Sequence, residues 1–174
     1  MHTLLHLQKS NRFTLSLMVI SIAVLLPILL HLIPPVNGIP IGAYLLPMFY
    51  IPLIALLIFG RKIALITAAL APTLNFLLVG NNNWGWMGML TLELLVFTFV
   101  GSILIKTKFK MLLAMIALIL AKLVSAIFIG SMELLPVTPF GYFQASLINA
   151  IPGLLILILI TYYILKNNQK FLPS

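Results

Sequence analysis

Six runs of apolar residues, at about 13–33, 42–59, 62–79, 87–105, 110–130 and 144–165, account for most of the chain. Within each run the apolar positions are continuous, not alternating. Each is close to the roughly 20 residues that carry a helix across a hydrocarbon core. A transmembrane barrel would show period two, so strands are not expected. Turn chemistry separates the runs: "IPPVNGIP" at 33–40, "FGRK" at 59–62, "VGNNNWG" at 79–85, "KTKFK" at 106–110 and "ELLPVTPFGY" at 133–142. The pattern predicts an all-α integral membrane protein, a single domain over 1–174 with six transmembrane helices.

Composition agrees. Of 174 residues 63% are hydrophobic and 7% charged, and the mean hydropathy is +1.23. A water-soluble domain of this length has no such shortage of surface charge. The net charge of +8 reads as a bias between loops, and no nucleic-acid partner is expected. With no cysteine, disulfides, thiolate metal sites and cysteine nucleophiles are excluded.

The basic residues give an orientation. Lys9 and Arg12 precede the first run, and Arg61 and Lys62 lie between the second and third. Lys106, Lys108 and Lys110 lie between the fourth and fifth, and Lys166 and Lys170 follow the sixth. The other three loops hold no lysine or arginine, and Lys122 alone falls inside a run. Cytoplasmic loops collect basic residues, so both termini are expected in the cytoplasm. The first run is read as a retained helix, because no small-x-small cleavage site follows it.

Two charges then lie deep in the bilayer. The chain has no aspartate and only two glutamates, one of which, Glu93, sits in the apolar stretch "MLTLELLVF". It lies seven residues below Trp86, roughly 10 Å at the helical rise. On the next, antiparallel helix Lys122 lies eight residues below Gly130, roughly 12 Å deep. At matching depth the two are expected to pair or to face an aqueous cavity. Asn75, Gln144 and Asn149 fall at the same outer level, with Thr73 and Ser125 close by, whereas the inner halves offer isolated Thr, Ser and Tyr. An outward-facing polar pocket accounts for this asymmetry; the alternative is a structural ion pair with amides bonding between helices.

Trp84, Trp86 and Tyr142 add candidate walls for a planar ligand, although membrane interfaces attract such residues without any ligand. Pro47 and Pro52 in "LPMFYIP" free carbonyls near the same level, or mark an ordinary kink. Ala64, Thr67, Ala68, Ala71 and Asn75 form a small-residue face suited to close packing with another helix, inside the protein or on a partner.

Motifs for catalysis are absent. There is no HExxH, no paired acids and no metal-spaced histidine cluster, so neither a metal nor a cofactor is expected. "GSILIKT" at 101–107 lacks the glycine that precedes the lysine of a P-loop, so the chain cannot power transport by ATP itself. The protein is not expected to be an enzyme.

Several segments are similar to the substrate-binding S components of energy-coupling factor (ECF) vitamin transporters. "GAYLLPMFYIPLIALLIFGRKIALITAALAPTLNFLLVG" at 42–80 resembles their proline–methionine helix, short basic inner turn and proline-containing third helix. "MLTLELLVFTFVGSIL" at 89–104 resembles their fourth helix, with glutamate followed by glycine. "AKLVSAIF" at 121–128 falls where relatives often carry a basic residue, and "NAIPGLLILILI" at 149–160 resembles the final proline–glycine helix. The resemblance implies a six-helix bundle in a bacterial cytoplasmic membrane that captures a vitamin or similar micronutrient at its outer face. The loop at 33–41 would act as a gate, and delivery would need a transmembrane coupling protein and two ATPase subunits. Two positions depart from the family. Thr14, Ser16, Ser21 and Ala23 do not fall in the small-x-x-x-small register used for docking, and Phe49 stands where relatives often have histidine. On this reading Glu93, Lys122, Asn75, Asn149, Gln144, Trp84, Trp86 and Tyr142 contact substrate. The rival class is a non-transport scaffold, such as an MreD-like cell-shape protein, in which Glu93 and Lys122 are purely structural.

Overall fold

The computed structural model describes residues 12–36, 38–80, 83–132 and 138–167. Lys9, Lys170 and Glu133, which enter the charge reading above, lie outside these residues. The described chain is helical: α1 (Arg12–His31), α2 (Ile41–Leu45), α3 (Pro47–Phe59), α4 (Arg61–Val79), α5 (Trp84–Leu104), a 3-10 turn (Lys110–Leu112), α6 (Leu113–Met132), α7 (Pro139–Asn149) and α8 (Ile151–Asn167).

By length and composition, four segments can cross a membrane: Ile41–Phe59, Arg61–Val79, Trp84–Leu104 and Lys110–Gly130. The α7–α8 pair makes a fifth if counted as one span bent by 59°, and α1 contributes a shorter apolar stretch, Thr14–Leu30. The helices thus fall where the apolar runs are, but two of the six runs expected to be continuous are broken.

Both breaks come from proline. A residue before proline is sterically driven out of the right-handed helical region, and the proline has no N–H to continue the ladder. At Pro47 the preceding Leu46 turns left-handed (φ 53°, ψ 44°), ending α2 and starting α3. This is a strained conformation for a branched residue. At the second break the residue before the proline, Ile151, stays helical; Pro152 lies in the first turn of α8 and has no N–H to continue α7, and the chain turns at Ala150. The two breaks meet. A Cβ built on Gly153 would lie 2.6 Å from the carbonyl carbon and oxygen of Leu45 and 2.9 Å from Cγ of Leu46, so only glycine admits this approach.

Helix α3 occupies the middle of the bundle, touching α1, α4, α5 and α8. Its Leu53 and Leu57 join Phe97, Leu113, Leu118 and Leu157 in the main core, and Phe49 meets Phe97 edge to face at 5.1 Å. The small-residue face of α4 is used within the protein. Ala64 packs with Leu15, Val19, Ala55 and Leu56, while Ala71 packs with Ala23 and Val24. Asn75, buried on that face, donates from Nδ2 to the Val24 carbonyl at 3.1 Å, which ties α4 to α1. Gly60 (φ 89°) makes the tight turn from α3 into α4.

Candidate functional site: a cavity over a buried ion pair

Local sequence sets the helices that build the site. The Asn83 side chain caps α5 by accepting from the Trp86 N–H at 3.2 Å, which fixes the first turn where Trp86 sits. Thr138 caps α7 by accepting from the Gly141 N–H at 3.2 Å, with Pro139 in the first turn. The four residues Trp86, Met89, Leu90 and Glu93 then share one face of α5, at spacings of three and four. Tyr142, Ala145, Ser146 and Asn149 share one face of α7 by the same rule, and Lys122 and Ser125 share one face of α6.

These faces converge on Glu93, which is fully buried. Its Oε2 receives Lys122 Nζ at 2.8 Å. Its Oε1 accepts from Ser125 Oγ at 2.7 Å and from the Tyr142 hydroxyl at 2.5 Å. A carboxylate removed from water is tolerable only when paired and hydrogen-bonded on both oxygens, and this one is. The ammonium of Lys122 also lies 5.9 Å from the Phe49 ring centre and 5.8 Å from that of Tyr142, within reach of a cation–π attraction. Tyr142 is in turn flanked by Trp86, with ring centres 6.3 Å apart.

Above the pair lies a cavity of about 530 Å³, a size typical of small-molecule sites. Its walls are apolar: Pro27, Ile39, Pro40, the broken segment Leu46–Phe49, Phe76, Met89 and Leu90. Its polar groups come from Lys122, Tyr142, Ser146, Asn149 and Trp86.

Four of the eight residues proposed from sequence thus line the cavity, namely Lys122, Asn149, Trp86 and Tyr142. Glu93 lies behind them and holds Lys122 and Tyr142 in place. The other three are elsewhere. Asn75 is engaged with the Val24 carbonyl, although its neighbour Phe76 reaches the cavity wall. Trp84 and Gln144 are exposed and do not line the cavity. Each lies two residues from a lining residue, on the wrong side of its helix. Sequence reasoning missed Phe49, Met48, Met89, Ala145 and Ser146; the helical spacing from Trp86 and from Tyr142 pointed to the last three.

No protein-family model, curated protein or solved structure matches the chain. The functional reading therefore rests on the site. No cluster of three or more metal-ligating side chains occurs among the described residues.

Proposed function

We propose that this protein is a six-span binding subunit of an ECF-type importer, capturing a micronutrient in the cavity above Lys122 and passing it to a separate coupling protein with two ATPase subunits. The observation that carries the reading is the cavity itself, apolar-walled and floored by an ion pair whose carboxylate is bonded on both oxygens. A scaffold gains nothing from such a void, which forfeits packing contacts. Two broken helices beside the cavity support the same reading, since interrupted helices recur at membrane binding sites. Phe49 faces this cavity, so the departure from the family at that position bears directly on which substrate is taken.

The site's position supports uptake from outside. Helix α3 runs from the cavity at Pro47 to the basic turn at Arg61 and Lys62, and α5 runs from Trp86 to the basic loop at Lys106–Lys110. Cavity and basic turns are therefore at opposite ends of the bundle. With the basic end in the cytoplasm, both termini are cytoplasmic and the cavity faces out. Accessibility tags in the 106–110 loop and after Lys170 should then report cytoplasm, and tags at 81–83 should report the outside. An external C-terminus would reverse the orientation and defeat capture from outside.

The functional test is energetic. Purified protein should retain a small molecule yet hydrolyse no ATP, and uptake into cells should need the coexpressed coupling protein and ATPases. Concentrative uptake by the protein alone in sealed vesicles would overturn the importer-subunit assignment.

A further inference from the structure

The charge balance of the cavity floor restricts what the cavity can hold. Glu93 contributes one negative charge and Lys122 one positive, 2.8 Å apart. Among the described residues, Glu93 and Lys122 are the charged side chains buried at this level. Among the described residues that line the cavity, Lys122 is the only charged one. The floor is therefore neutral as it stands. An anionic ligand would leave one uncompensated negative charge in an apolar void, and a cationic one would meet the Lys122 ammonium at close range. Either carries the cost of an unpaired charge out of water.

The hydrogen-bond inventory specifies more. The Tyr142 hydroxyl spends its hydrogen on Glu93, and Ser146 Oγ spends its own on the Phe143 carbonyl. Lys122 uses one of its three N–H groups on Glu93. Its others, with the Trp86 indole N–H, are the donors that a ligand can claim, and the Asn149 amide supplies one donor group and one acceptor. Aromatic rings from Phe49, Phe76, Trp86 and Tyr142 surround the remaining volume.

We propose that the cavity takes a ligand that is electrically neutral at pH 7, largely apolar with a flat ring system, and docks a carbonyl-type acceptor on Lys122. This rests on the binding-subunit reading and narrows its substrate class. Vitamins that carry a free carboxylate or a fixed cation are excluded as the natural cargo.

A matched probe series tests it. Naphthalene-2-carboxamide, 2-naphthoate and 2-naphthylmethylammonium share one ring and differ in charge. Trp84→Phe leaves Trp86, in the cavity wall, as the sole tryptophan, so quenching of its fluorescence reports occupancy. Full-length protein in phosphatidylcholine nanodiscs is titrated with each probe, and partition into protein-free nanodiscs is subtracted. The carboxamide should bind at least about tenfold more tightly than either charged analogue, the equivalent of one unsatisfied buried group. In Glu93→Gln, where Lys122 has lost its counter-charge, the preference should move to 2-naphthoate. If that variant does not fold, the wild-type series alone decides. Equal or tighter binding of a charged probe overturns the neutral-ligand assignment while leaving the cavity a binding site. Failure of all three to bind overturns the class outright, and the binding-subunit reading is then judged by the copurified molecule described below.

Discussion

Lys122→Met is expected to destabilise the protein by about 3–5 kcal/mol, because it strands the Glu93 carboxylate in an apolar interior. The methionine keeps most of the packing over Phe49 and Tyr142, so the loss isolates the charge. Adding Glu93→Gln should recover much of it. The amide oxygen can still accept from Ser125 and Tyr142, and no net charge remains buried. Thermal unfolding in a mild detergent, on both singles and the double, measures the coupling. A strongly non-additive result identifies the two residues as one unit, whereas simple addition of the two single effects would mean that they act independently.

The second large effect is expected at Gly153. Its hydrogen faces the Leu45 backbone, and a methyl there would lie 2.6 Å from the carbonyl carbon and oxygen. Backbone cannot swing aside as a side-chain tip can, so the two helix breaks must separate. Gly153→Ala should cost about 1–3 kcal/mol, the range for overpacking. It should also weaken ligand retention, because Leu46 and Pro47 on one break and Asn149 beside the other are cavity walls. Gly88→Ala is the contrast. It is a helical glycine whose added Cβ meets nothing within 4 Å, so it should stabilise by about 0.4–1 kcal/mol. Similar melting temperatures for the two variants would mean that the contact between the breaks is not tight in solution.

The apolar runs alone placed the helices, because continuous hydrophobicity of about 20 residues has few other solutions. The Glu93–Lys122 pair was also legible: burial makes two opposite charges at one depth seek each other. The site's lateral geometry was harder to read. Trp84 and Gln144 qualified by residue type and depth, but depth says nothing about which side of a helix a residue occupies. Applying helical spacing from Trp86 and Tyr142 separates them from Met89 and Asn149. Asn75 lies off the cavity for another reason. Its amide is buried against α1, and a distant carbonyl such as that of Val24 cannot be seen as its partner from local sequence. The breaks at Leu46 and Ala150 were only half legible. Pro47 and Pro152 announce a disturbance, but the contact of Gly153 with Leu45 depends on how distant segments pack.

The most direct test of the cavity as a binding site is the molecule that the protein itself retains. Gently purified wild type and the Glu93→Gln/Lys122→Met double mutant are each denatured, and the released small molecules are quantified per protein by mass spectrometry. Wild type should release a near-stoichiometric ligand, and a folded double mutant should have lost most of it. Equal retention by the two proteins, or no ligand on wild type before or after incubation with cell extract, would contradict the binding-site assignment.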